Sequence, residues 1–249
     1  MLGFFAWNVF NILGVFAASR ILGGQQRWAA ALLTYQMFYV LYYGNIVGIL
    51  VGGLALIWWG VTHQRWHWAG LGLVLALTKY QLGLSFGIIL LLMANISWQD
   101  RLRVVVVPSL VLVVSLLLYP LWPLQSIRII LENPPNNLGN ISLWQWVGPG
   151  ALLLWLPPLW LPLPAQQRLT ALAATATLTL PYFQQTDLLA LFVLPLGWLP
   201  LLGNLGFLLY TNYTWQGFAL LAIIPLLLYV RIIGPGLFLW LRQRKQSAS

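Results

Sequence analysis

The sequence predicts an all-α, polytopic integral membrane bundle with short, broken or re-entrant helices. Three observations predict it. The chain is 61% hydrophobic and 6% charged, too apolar a balance to clothe a soluble core. Its apolar runs alternate with short turns that carry Arg, Lys and His singly or in pairs, the pattern of positively charged cytoplasmic loops. Fifteen prolines interrupt many of the runs, and broken helices are common where membrane enzymes and transporters build sites. The same features exclude other classes. No polar stretch is long enough for a soluble domain, so residues 1–249 read as a single transmembrane domain. Cysteine is absent, which removes disulfides and cysteine-bound metal. The net charge of +9 is not gathered into a stripe, which argues against nucleic acid as a partner.

Residues 2–19 form the first apolar run. Arg20 follows it rather than preceding it, so the run reads as a retained span and not a secretory signal. The turn 20–27 is basic and faces the cytoplasm in this reading. Residues 28–43 are apolar and aromatic, and Gly44-Asn45 breaks them at the opposite face. Residues 46–62 return to a second basic turn at 63–67, bracketed by Trp58-Trp59 and Trp66/Trp68 as an aromatic belt. His63 and His67 are four apart, but with Arg65 between them they read as interfacial residues rather than metal ligands.

The next stretch carries the main functional clue, because Lys79 sits inside its apolar run. A lysine at that depth is costly unless it has a partner or reaches water. Trp68 to Trp98 is about 31 residues, whereas one span needs roughly 20 and two need about 40. A straight helix of that length would reach roughly 47 Å. Both flanking turns are basic, with His63, Arg65 and His67 before and Arg101 and Arg103 after. A hairpin of two short helices that enters the membrane and returns satisfies both facts. Its tip is Lys79-Tyr80-Gln81 followed by Gly83, roughly 17–18 Å deep. Irregular backbone at that depth survives only inside protein or beside a water-filled cavity, so Lys79 is expected to face a cavity.

After Arg103 a span runs to Pro120–Pro123. Residues 124–146 form the most polar connection, an extracytoplasmic loop by alternation. Its SIRIILEN segment reads as an amphipathic helix lying on the membrane, with Arg128 and Glu132 spaced to pair. Such a surface pair contributes little, so a functional role for it competes with a plain one. Residues 147–164 span inward to a proline cluster. Residues 169–180 are rich in small residues suited to close packing. They lead to Pro181–Asp187, where Asp187, one of three acids in the chain, opens another apolar run. A helix N-cap is the plain role for an Asp at that place. The parity of residues 205–241 is repaired by a break either at 200–206 or at Gly234-Pro235-Gly236, and the sequence leaves both open. The tail Arg242, Arg244 and Lys245 puts the C-terminus in the cytoplasm.

Four features in this order resemble the later half of bacterial GT-C glycosyltransferases, family eighty-seven, the mannosyltransferase-like group. They are Trp7-Asn8 with Asn11; Tyr43-Gly44-Asn45 before a long apolar run; Ala69-Gly70-Leu71 with Leu77-Thr78-Lys79; and Pro181-Tyr182 with Asp187 before an apolar run. The likeness covers roughly residues 4–200. It departs from the family where Gly44-Asn45 lacks a glutamine and Tyr80 replaces a proline. No residue matches the family's acid in the first extracytoplasmic loop. The chain reads as beginning after that loop, which leaves three explanations: a fragment, a partner chain that supplies the acid, or lost catalysis.

The resemblance implies sugar transfer from a polyprenyl-phosphate-linked donor at the extracytoplasmic face of a bacterial cytoplasmic (inner) membrane, with no cofactor. Lys79 and then Arg128 are the cations for the donor phosphate, with Gly44, Asn45 and Tyr80 beside the same cavity. A positioned cation stabilises charge on the leaving phosphate. The acceptor hydroxyl needs a base, for which Asp187 and Glu132 are the candidates. The alternative is a non-catalytic integral subunit that scaffolds a larger complex, with membrane lipids and other membrane chains as its partners.

Overall fold

A computed structural model describes residues 2–22, 31–94, 96–132, 140–193, 199–205 and 221–246. Among them the fold is all-helical, with one isolated antiparallel bridge between Asn140 and Gln184. In chain order the α-helices are α1 (Leu2–Ile21), α2 (Tyr35–Tyr43), α3 (Val47–Thr62), α4 (Trp66–Leu77), α5 (Tyr80–Met93), α6 (Trp98–Leu118), α7 (Trp122–Glu132), α8 (Trp144–Val147), α9 (Leu156–Trp160), α10 (Ala165–Thr179) and α11 (Ile223–Gln246). Three 3-10 segments, Gly148–Trp155, Gln185–Val193 and Leu199–Asn204, lie among the later helices. Among the described residues two helices are long and apolar enough to cross a membrane, α1 over Gly3–Ile21 and α6. α2 and α3 pass that test only together, as a pair broken after Tyr43. The chain divides into two compact units, Met1–Trp28 with Ile46–Leu138, and Ala29–Asn45 with Gly139–Ser249.

The first unit is built on glycines that let helix backbones touch. A Cβ on Gly60 would meet Ala69, on Gly72 it would meet Ile57, and on Gly53 it would meet Ala76. Residue numbers fall on one helix as they rise on the other, so α3 and α4 are antiparallel neighbours. Gln64, at φ 55°, makes the tight turn between them. α1 crosses α3 where Gly14 lies against Gly48 and Gly52. Here Asn11, fully buried, accepts from the Gly48 N–H at 2.9 Å and donates to the Trp7 carbonyl at 3.2 Å. It thereby satisfies one of the free N–H groups at the start of α3.

α4 and α5 form the expected hairpin. Gly83 lies against Ala76 and Gly87 against Leu73, so α5 runs back along α4. The helices break at Thr78-Lys79, where Lys79 has φ −119° and ψ 77°. The return is secured at its base. Arg101 donates to the carbonyls of Leu91 at 3.2 Å and Ala94 at 3.4 Å, closing the open C-terminal end of α5 with a positive charge where the helix dipole favours one. Arg101→Ala is expected to lower stability by about 1–2 kcal/mol, measured as a fall in the thermal midpoint of the detergent-solubilised protein. α6 starts with an N-cap, in which Ser97 Oγ accepts from the Asp100 N–H at 3.2 Å and donates to the Asp100 carboxylate at 2.7 Å. Only Val104 of α6 is buried. Gly70 of α4 meets α6 at Val104 and Val107.

In the second unit α10 is the centre. Every residue from Leu169 to Thr179 is buried. Its threonines bond back into their own helix, Thr175 to Ala171 at 2.8 Å and Thr179 to Thr175 at 2.8 Å, so the hydroxyls need no other partner. Small side chains then let α9, α11 and the 3-10 segments Gly148–Trp155 and Gln185–Val193 pack close. α11 continues through Pro235, so the Gly234-Pro235-Gly236 break offered by the sequence is absent. The other proposed break, 200–206, ends among residues outside those described.

Candidate functional site

The expected site residues fall into three places. Lys79 and Tyr80 stand at the tip of the α4–α5 hairpin. The 12 residues of α4 set that tip about 18 Å from the basic turn at its base. Lys79 is half-buried and Tyr80 exposed. Thr78 donates to the Leu75 carbonyl at 2.6 Å, and Gln81 to the Tyr80 hydroxyl at 3.4 Å. The tip therefore carries an ammonium, a phenol and an amide on consecutive residues, Lys79, Tyr80 and Gln81.

Gly44, Asn45 and Asp187 lie in the second unit. Gly44 ends α2 in the left-handed conformation, φ 64° and ψ 33°, which a residue without Cβ adopts readily. Asn45 donates to the Thr186 hydroxyl at 3.3 Å, which ties the break after α2 to the segment that holds Asp187. Asp187 is 1% exposed, and its Oδ2 accepts from the Gln184 N–H at 2.9 Å. That is the backward half of a capping box, closing the start of the 3-10 segment Gln185–Val193. The capping role read from the sequence is thus observed, with Asp187 inside the first turn rather than before it. Tyr182 takes a hydrogen bond on its hydroxyl from Gln184. Burial, and then the nearby Asp187 carboxylate, raise the Tyr182 pKa above the usual phenol value. Asp187→Ala is expected to cost about 1–2 kcal/mol by leaving the Gln184 N–H unsatisfied. Asp187→Asn keeps an acceptor oxygen and is expected to restore most of that stability; paired thermal melts measure both.

Arg128 and Glu132 lie on α7 in the first unit. They form the expected ion pair, Nε to Oε1 at 2.6 Å, with side chains 79% and 55% exposed. An exposed pair of this kind contributes little to stability. α7 is amphipathic as expected, with Leu124, Ile127 and Leu131 exposed along one side. The loop 133–139 that follows lies outside the described residues.

Within each unit the structure thus brings Asn45 to Thr186 and Asp187, and Tyr80 to Lys79. Sequence reasoning missed Asn140, Thr186 and Arg231. Asn140 is buried and holds the chain beside Asp187, accepting from Phe183 N–H at 3.1 Å and donating to the Pro181 carbonyl at 3.1 Å. It is one of four asparagines in the most polar connection of the chain, so nothing in its composition singled it out. Arg231 is exposed in mid-α11, and the sign that drew attention to Lys79, a charge inside an apolar run, applies to it equally. Comparison with protein-family models, curated proteins and solved structures finds no match.

Proposed function

We propose that the chain is an integral protein of a bacterial cytoplasmic membrane whose α4–α5 hairpin enters the bilayer part-way and carries Lys79 to a phosphate headgroup. The substrate class is a polyprenyl-phosphate-linked sugar, and the activity is that of a GT-C-type glycosyltransferase. One observation carries the proposal: the chain reverses at Lys79, so the cation lies at the far end of two short apolar helices. In the transfer the bond between the sugar's anomeric carbon and the phosphate oxygen breaks, and an acceptor oxygen bonds to that carbon. The acceptor proton passes to a base, and the phosphate leaves with extra negative charge that the ammonium stabilises. Asp187 and Glu132 are the candidate bases. Asp187→Asn is the test of that role, because it keeps the cap while removing the proton acceptor: transfer should fall sharply with little change in melting temperature.

A non-catalytic integral subunit is the second proposal. It is favoured by the engagement of both acids, Asp187 in a cap and Glu132 with Arg128. It is also favoured by the almost bare apolar surface of α6, which lipid or another membrane chain can cover. Native electrophoresis of the protein purified from its own membrane, with mass spectrometry of every co-migrating chain, separates the two. A defined set of partner chains and no transfer activity would leave the subunit proposal standing.

A further inference from the structure

The base of the first unit gathers a second set of charges. The turn between α3 and α4 lies there. α5 returns there, and Arg101 ties its end to the start of α6. Gly70 against Val104 brings the first turns of α4 and α6 level. α1 crosses α3 near Asn11 and Gly48 and again between Gly14 and Gly52. It therefore runs in the same direction as α3 and brings Arg20 to the same end.

Arg20, Arg65, Arg101 and Arg103, with His63 and His67, thus share one end with a single acid, Asp100. Arg101 is occupied by carbonyls, and Arg20 lies over the Phe16 ring at 5.2 Å. Arg103 meets Asp100 at 2.8 Å yet is 62% exposed, and Arg65 is exposed. Tryptophans ring the same level. Trp59 stacks on His63 at 4.9 Å and meets the edge of Trp68 at 6.5 Å, and Trp98 is exposed. Past this ring the exposed surface of α6 is apolar but for Ser109 and Ser115. Cations, then tryptophans, then bare hydrocarbon is the order that a leaflet rich in anionic lipid complements.

We propose that this end binds anionic phospholipid headgroups, with Arg65 and Arg103 as the principal contacts. The proposal rests on the membrane reading above but not on the role of Lys79. The full chain is purified into neutral detergent with an equal mixture of phosphatidylglycerol and phosphatidylcholine, and the lipids that stay bound are counted by native mass spectrometry. Bound lipid should be enriched in phosphatidylglycerol, and enrichment should fall about fivefold for each arginine removed in Arg65→Gln and Arg103→Gln. It should also weaken as salt is raised. If the double variant does not fold, Arg65→Gln alone carries the test. Retention of the two lipids in their bulk ratio, or enrichment unchanged in the Arg65→Gln and Arg103→Gln variants, would overturn the proposal. Intact enrichment in a Lys79→Ala protein that no longer binds polyprenyl phosphate would separate the two sites. Intact polyprenyl-phosphate binding without enrichment would sink only this one.

Discussion

Lys79→Ala is expected to weaken binding of a polyprenyl phosphate by about 10- to 100-fold, the range for losing one charge-assisted hydrogen bond. The melting temperature should hardly move, because Lys79 is half-buried at a tip rather than packed in a core. Lys79→Arg should recover part of the binding, since the charge remains while the point-like ammonium is lost. The measurement is lipid-phosphate binding by the purified protein, with a sugar-transfer assay beside it. If transfer exists, its rate should fall with binding or further, because the leaving phosphate carries more charge in the transition state than in the ground state. Unchanged binding in Lys79→Ala would remove the central functional residue of the proposal.

Gly83→Val should have the largest structural effect. A Cβ at Gly83 collides with the backbone carbonyl of Ala76, and the Leu77 amide lies 2.8 Å away. Backbone cannot step aside as a flexible side chain does, so α5 must swing off α4 or the hairpin must open. Overpacking in a close interface typically costs about 1–3 kcal/mol, and this contact belongs at the upper end. The expected outcome is a protein that melts well below the parent and has lost the Lys79-dependent binding. Gly87→Ala is the milder companion, because its nearest neighbour is the movable Leu73 side chain at 2.8 Å. A Gly83→Val protein with parent-like stability would mean that the two helices do not pack as described.

The hairpin was legible because two simple quantities conflicted. About 31 residues are too many for one straight span and too few for two, and the turns at both ends carry the same sign of charge. The break at Gly44, the capping duty of Asp187 and the Arg128–Glu132 pair were legible from local chemistry: a glycine closing an aromatic run, an acid opening an apolar one, and opposite charges four apart on a helix. What could not be read was tertiary. Nothing in the spacing of Asn11 announces that its amide reaches the start of α3, since residues 37 apart in sequence meet there. Nor does the run 169–179 announce that it is buried on every side, because its alanines and threonines carry no helical stripe to orient it. The link from Asn45 to Thr186, 141 residues away, is of the same kind. Lys79 and Asp187 belong to different compact units, and the local contacts of each are the part of the site that the structure adds to the sequence.

The re-entrant hairpin is the claim on which the rest depends, and the chain is suited to testing it because it holds no cysteine. Single cysteines placed at Gln64 and at Gln99, both exposed at the base of the hairpin, can be labelled with a membrane-impermeant maleimide in right-side-out and inside-out vesicles. The account predicts that both label from the same, cytoplasmic side. Labelling of the two positions from opposite sides would mean that residues 66–93 cross the membrane once, and would contradict it.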